Sequence, residues 1–381
     1  MSRFLPARRL ALPNYPFAEL ERQASALRRA GKSVCDLSIG DPDLPPPEFI
    51  VDAVRQSLNN PRSHRYPSSR GDHEVRASIA RWFKGRFGVD IDPERQVAVT
   101  IGGKEALAQI ARAVVNPGDR VAFPDPGYPV YSRAGCQFVD GAPVKIPLSV
   151  QNAFLPLLSD IPSARLLYLN YPNNPTGATA NKDFLSNLAL LIDDNPEMVA
   201  AYDMAYSEMT FRTPALSLLQ FTDRCIEFHS LSKMANATGY RVGFAVGDID
   251  LIDALARVKE EIDSGAPLPF QMALKTALDR YEGAAPPPEF TALKEIYFRR
   301  KNALTKALAD AGYDVFDAAA TFYIWFKVGE DEMPFISAAL NKGLLLTPGR
   351  GFGSGGKGWA RASITAPDEV IEQSMEIIRT L

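Results

Sequence analysis

A chain of 381 residues that is 46% hydrophobic and 23% charged can bury one large core and a smaller satellite domain. Its net charge of −3, with no block of about five like charges, excludes a surface built for nucleic acid or an anionic membrane. Cys35, Cys136 and Cys225 are odd in number and lack CxxC or Cys/His spacing, which excludes a disulfide framework and a metal site and leaves reduced thiols.

The basic stretch at residues 1–12 has too short an apolar run for a signal peptide, and no run of about 18 apolar residues follows, so a cytoplasmic protein is expected. Residues 17–31 predict an amphipathic helix (Phe17, Leu20, Ala24, Leu27) stopped by Gly31. A short strand then leads into the turn Gly40-Asp41-Pro42, and 48–58 predicts a helix. Short apolar strands follow at 97–100, 120–123, 165–170, 198–202, 225–229 and 242–246, with helical segments between most of them. This alternation predicts an α/β, three-layer large domain over 45–285, its mostly parallel sheet covered on both faces.

The run Glu282-Gly283-Ala284-Ala285-Pro286-Pro287-Pro288 reads as a linker or a kink in a long connecting helix. A helix at 290–311, strands at 321–328 and 360–365, and a helix at 334–342 make up 286–381, predicted as a smaller α+β domain. Residues 1–44 are expected to supply an N-terminal arm and part of that domain, so that both chain ends build it.

Four segments carry the chemistry. Asn170-Tyr171-Pro172-Asn173-Asn174-Pro175-Thr176-Gly177 leaves a strand through two prolines, fixing an asparagine amide at a strand's carboxyl end, where open α/β sheets bind ligands. Asp203 ends the next apolar strand, where it is either a helix N-cap or a buried carboxylate waiting for a cation such as a protonated pyridine nitrogen. Gly102-Gly103-Lys104-Glu105 places free N–H groups at a helix start, which suits a phosphate. In Ser230-Leu231-Ser232-Lys233, with Arg241 and Gly243 downstream, Lys233 reads as a Schiff-base lysine, a partner of a serine nucleophile, or a surface lysine.

These motifs, with Gly40-Asp41-Pro42-Asp43, Asp125-Pro126-Gly127-Tyr128-Pro129 and Ala360-Arg361-Ala362-Ser363, occur in an order that resembles the fold-type I pyridoxal-phosphate aminotransferases of class I/II. The resemblance runs from about Leu12 to the C-terminus. It implies pyridoxal 5′-phosphate held covalently by Lys233, with Asp203 on its pyridine nitrogen, Asn174 and Tyr206 on its phenolic oxygen and Tyr128 stacked on its ring. Gly103, Lys104, Ser230, Ser232 and Arg241 would hold the phosphate. Tyr66 would reach the neighbouring subunit's phosphate, which implies a homodimer with shared active sites. Arg361 would clamp the substrate α-carboxylate, helped by Gly40 and Asn174, and a cis bond is expected at Asn174-Pro175.

The implied reaction moves an amino group between an amino acid and a 2-oxo acid, with 2-oxoglutarate expected as one partner and Lys233 as the base. Leu12-Pro13-Asn14-Tyr15-Pro16-Phe17, Ile262-Asp263-Ser264-Gly265 and Thr321-Phe322-Tyr323-Ile324-Trp325 resemble the branch that includes LL-diaminopimelate, succinyl-diaminopimelate and alanine/aspartate-type aminotransferases, with Tyr15 and Tyr323 against the substrate side chain. Met204 stands where relatives often carry Glu, and Ala235-Asn236-Ala237 replaces bulkier residues; neither change removes a cofactor ligand. Lyases, decarboxylases and cyclases use the same cofactor linkage and remain open.

Other readings fail on context. The S-x-x-K pattern of serine acyl enzymes lacks its Ser-Asp-Asn and Lys-Thr-Gly partners. Gly351-Phe352-Gly353-Ser354-Gly355-Gly356 spells a dinucleotide fingerprint outside a βαβ unit and is expected to be a mobile loop leading to Arg361. A non-catalytic regulator would need a helix-turn-helix, for which little chain precedes the first motif.

Overall fold

The computed structural model describes residue 7 and residues 16–381, the side chains of 16–19 apart; Tyr15 lies outside the described residues. A seven-stranded sheet runs, edge to edge, through Val97–Thr100, Gly243–Gly247, Cys225–Ser230, Val199–Asp203, Leu166–Asn170, Arg120–Asp125 and Ala142–Pro147. Gly243–Gly247 is antiparallel to both neighbours, and the other neighbouring pairs are parallel. The inner strands are buried along their whole length, which is why they read as unbroken apolar runs.

Successive side chains split between two cores, as the two-residue strand period requires. Val121, Leu166, Val199, Ala201, Ile226 and Phe228 face the helices Gly103–Val114 and Ile249–Ile262. Ala122, Leu167, Ala200, Tyr202 and Cys225 face the opposite way, against His73–Phe87 and Leu268–Asp279. The result is three layers, as predicted.

A second core gathers both ends of the chain. A four-stranded antiparallel sheet orders Thr347–Pro348, Trp359–Ser363, Tyr323–Lys327 and Asp314–Val315, while Cys35–Asp36 pairs in parallel with Leu344–Leu345. The run at 282–288 is a turn closed by a Glu282/Ala285 bridge, after which Pro288–Asp310 runs as one helix. Phe290 of that helix packs in the large core, and Tyr297, Leu304 and Leu308 pack in the second.

Two expectations are corrected. The strand predicted from 321 begins at Tyr323, because Thr321 is at φ 68°, a left-handed conformation that interrupts extended chain. The glycine-rich run at 351–356 is pinned rather than mobile: Asp125 accepts from Ser354 Oγ (2.6 Å) and Gly355 N (2.8 Å), and Gly127 N donates to the Phe352 carbonyl (2.8 Å). Among the described residues, no helix is long and apolar enough to cross a membrane, no acidic, His or Cys cluster could hold a metal, and the three cysteines are free and buried.

Candidate active site

Register sets the site. Asn170 lies opposite Asp203, and Asp203 opposite Phe228, two residues before its strand ends at Ser230, so the loops of three parallel strands converge at one sheet edge. The second core closes over that edge, leaving a cavity of about 880 Å³. It is lined by Gly40, Gly103, Lys104, Tyr128, Asn174, Asp203, Tyr206, Ser230, Ser232, Lys233, Arg241, Tyr323 and Arg361. Of the residues singled out from sequence, only Tyr66 is described and lies elsewhere, 93% exposed on the surface.

Lys233 sits in the one-turn helix Leu231–Met234, whose N-cap Ser230 accepts from Ser232 N (3.3 Å). That capping bond gives Ser230 Oγ a structural role. Lys233 Nζ donates to the Gly40 carbonyl (2.7 Å). Burial pulls its pKa below the ordinary lysine range, helped by Arg241 and Arg361 and opposed by Tyr323 and Asp41. A larger fraction is therefore free amine, the form that attacks an aldehyde.

A cationic cup flanks the lysine. Arg241 Nη1 donates to the Thr238 carbonyl (2.9 Å) and to Ser232 Oγ (3.4 Å), and the Lys104 ammonium lies 5.7 Å from the Tyr128 ring centroid. Gly102, at φ 75°, caps Gly103–Val114; a Cβ there would come within 2.6 Å of Arg241 Nη2. Its bare backbone lets the helix N-terminus and the guanidinium share one concavity, as a phosphate dianion requires.

Asp203 is 4% exposed and accepts from Tyr131 Oη (2.7 Å) and Ala205 N (3.0 Å), yet has no ion pair among the described residues. Burial raises its pKa, and the Tyr131 bond is the largest opposing influence. A cation on the cavity side would complete this carboxylate.

Arg361 ties three segments together. Its Nη1 donates to Asn174 Oδ1 (2.8 Å) and its Nη2 to the Ser38 carbonyl (2.7 Å), while its guanidinium lies over Tyr323 (3.9 Å) and Phe352 (4.7 Å). Its Nε is buried without a hydrogen-bond partner, so donor capacity remains for a carboxylate. Because Asn174 Oδ1 is taken by Arg361, its Nδ2 is left as a donor. Asn174 is held by Asn170 Oδ1 (2.8 Å to Asn174 N), and the Tyr171-Pro172 and Asn174-Pro175 bonds are both cis. Tyr206 and Tyr323 join hydroxyl to hydroxyl (2.8 Å), and burial raises the Tyr206 pKa.

Sequence reasoning missed Leu20, Glu21, Leu346 and Phe352 in the lining, and Tyr131 behind Asp203. Phe352 carried a signal, a lone aromatic inside a glycine run. Tyr131 carried none, since it meets Asp203 from 72 residues away.

The aminotransferase class I and II family model matches residues 32–378. LL-diaminopimelate aminotransferase of Aquifex aeolicus is 41% identical over 382 residues, 97% of each chain. A double mutant of Thermus thermophilus aspartate aminotransferase superposes with a TM-score of 0.92 at 26% identity, covering 100% of both chains. A probable N-succinyldiaminopimelate aminotransferase of Thermus thermophilus superposes with a TM-score of 0.88 at 31% identity, covering 96% of this chain and 99% of that one.

Proposed function

The chain belongs to the class I and II aminotransferase family, and on that premise we propose that it transfers an amino group between LL-diaminopimelate or its oxo form and the glutamate/2-oxoglutarate pair. The enzyme is a pyridoxal 5′-phosphate-dependent aminotransferase, and its substrates are amino acids and 2-oxo acids. One observation carries the residue roles: a single cavity holds a half-buried lysine, a buried carboxylate with no cation beside it among the described residues, and an arginine with donor capacity to spare.

Bound, the coenzyme supplies an aldehyde that takes the amino group and a ring that stabilises the electron pair left when the α-proton departs. Arg361 binds the substrate α-carboxylate through its unused N–H groups, and Tyr323 and Phe352 keep its guanidinium flat against the cavity wall. Lys233 Nζ would take the α-proton; the low-dielectric surroundings that lower its pKa favour the neutral form that task needs. Asp203 would hold a proton on the ring nitrogen. Asn174 Nδ2 and the Tyr206 hydroxyl would donate to the phenolic oxygen, and Ser230, Ser232, Arg241 and the N–H groups at Gly103 and Lys104 would hold the phosphate. The position of Tyr128 beside Asp203's partner Tyr131, ring centroids 5.8 Å apart and edge-on, supports its stacking against the coenzyme.

The substrate assignment rests on the relatives named for LL-diaminopimelate. It is tested by mixing coenzyme-loaded protein with single amino acids and following loss of the coenzyme's absorbance. LL-diaminopimelate and glutamate should each discharge it without release of CO2 or ammonia. Discharge by alanine or aspartate but not by LL-diaminopimelate would overturn the substrate, and release of CO2 or ammonia would overturn the proposed half-reaction. Lys233→Ala should lose both the lysine-linked absorbance and turnover.

The same reading makes the enzyme a cytoplasmic homodimer. Three free, buried cysteines suit a reducing compartment. The exposed Tyr66, with Leu58 at 51% and Ile262 at 53%, suits a covered face with Tyr66 on the partner's phosphate. Mixing Tyr66→Phe with Lys233→Ala protomers should give hybrid dimers carrying one site intact in both residues. A monomer by sedimentation would refute it.

A further inference from the structure

We propose that Tyr131 is a positioning residue: its hydroxyl keeps Asp203 anionic and aimed into the cavity, and through Asp203 it sets the protonation of the coenzyme's ring nitrogen. This rests on the reading that Asp203 faces that nitrogen. Tyr131 is fully buried, and its hydroxyl donates to Asp203 Oδ2 at 2.7 Å while Ala205 N donates to Oδ1 at 3.0 Å. Those two bonds use one acceptor site on each oxygen and fix the carboxylate plane. Each oxygen keeps a further lone pair for the cavity side.

The hydroxyl cannot trade roles. Burial and the neighbouring Asp203 charge push the Tyr131 pKa far up, so it stays protonated and acts only as donor. A carboxylate 4% exposed gains little from water, and each donor therefore weighs heavily on whether it is ionised. The ring has little freedom to move away. It is stacked on Tyr168 (centroids 5.0 Å, interplanar 22°), whose own hydroxyl is anchored on the Leu107 carbonyl (2.6 Å) of helix Gly103–Val114. A Cβ at Gly135 would come within 2.6 Å of the Tyr168 hydroxyl, so the stack is closed from behind.

Tyr131→Phe removes the donor and leaves the ring. Loss of a hydrogen bond to a charged group predicts coenzyme affinity weaker by about tenfold or more. It also predicts a changed pH midpoint for the bound coenzyme's absorbance, and a fall in kcat with KM for the amino acid held within about twofold. Tyr168→Phe, which loses a hydroxyl of similar burial bonded to a carbonyl instead of Asp203, should shift neither the absorbance nor its pH midpoint. The deciding measurement uses a coenzyme analogue with carbon in place of the ring nitrogen. With it, wild type and Tyr131→Phe should bind within about twofold of each other. A tenfold gap that persists with the analogue, or an equal spectral shift in Tyr168→Phe, would mean that Tyr131 acts through packing and would overturn the proposal. Asp203→Asn separates the premise: if it leaves spectrum and affinity unchanged, the reading of Asp203 fails; if it alters both while Tyr131→Phe alters neither, only the role of Tyr131 fails.

Discussion

Gly40→Ala is a one-methyl change whose effect can be worked through from the geometry. A Cβ at residue 40 would come within 2.6 Å of Cε1 and Cζ of Tyr323 and closer still to its hydroxyl. Ordinary contact begins at 3.4 Å, so the ring must retreat by at least about 0.8 Å. Gly40 is not in the left-handed region, so the backbone tolerates alanine and the clash alone acts. Retreat stretches the 2.8 Å Tyr206–Tyr323 hydroxyl bond past bonding range and slides the ring from under the Arg361 guanidinium, 3.9 Å away. The lost bond is worth about 1 kcal/mol and the cation–π contact about 1 kcal/mol. Together they predict a fall of roughly thirtyfold in kcat/KM. The assay is steady-state transamination with coenzyme affinity measured in parallel; the phosphate cup does not touch Tyr323, so that affinity should stay within about threefold. Tyr323→Phe, which loses only the hydroxyl bond, should fall by about fivefold. Should Gly40→Ala keep kcat/KM within about threefold of wild type, Tyr323 does not govern the clamp.

Arg300→Ala strands Asp43, which is 13% exposed in its side chain and takes both Nη atoms of Arg300 (2.7 and 3.1 Å), so chemical denaturation should show a loss of about 3 kcal/mol. Gly353→Ala should lower stability by about 2 kcal/mol in the same assay, because residue 353 is at φ 126° and a Cβ would come within 2.8 Å of Asp125 Cγ; an unchanged midpoint would show that the loop is not pinned. Lys301, buried and donating to the Ala320 (2.6 Å) and Tyr323 (2.9 Å) carbonyls, has its pKa pushed down to about 7, chiefly by burial. The unfolded chain therefore binds the extra proton between about pH 7 and the ordinary lysine pKa, so this residue makes stability rise with pH across that window. Lys301→Met should flatten the rise relative to wild type; an identical pH profile would refute the depressed pKa.

The strand-end chemistry was legible in the sequence because the apolar runs there stop at polar residues. Buried parallel strands announce themselves as apolar runs, and a polar residue such as Asn170 or Asp203 at the end of one must face the edge where loops converge. Lys233, Arg241 and Asn174 followed from loops that leave those ends. Arg361 and Asn174, 187 residues apart, were brought together by the family resemblance alone, and two other distant pairs were not legible at all: Tyr206 with Tyr323, 117 apart, and Tyr131 with Asp203. Nothing local marks which of the 13 tyrosines will find a buried acid. The glycine run at 351–356 misled for a related reason, since a glycine required by close packing and one that permits motion look alike until the neighbour, here Asp125, is known.

The arrangement also explains why the clamp draws on both ends of the chain. Arg361 lies on the second sheet, but its two bonded partners are Asn174 on a loop of the large sheet and Ser38 just after the strand Cys35–Asp36. Ser38 in turn is held by Asp36, which accepts from both its N (3.0 Å) and its Oγ (2.6 Å), and the Ser38 carbonyl also accepts from Thr347 Oγ1 (2.7 Å). Two residues on, the Gly40 carbonyl takes Lys233. The stretch 36–40 therefore contacts the carboxylate clamp and the reacting amine at once. A shift of the second core relative to the large sheet would strain the Arg361–Asn174 and Gly40–Lys233 bonds at once, so the seating of that core sets the distance between substrate carboxylate and base on which proton transfer depends.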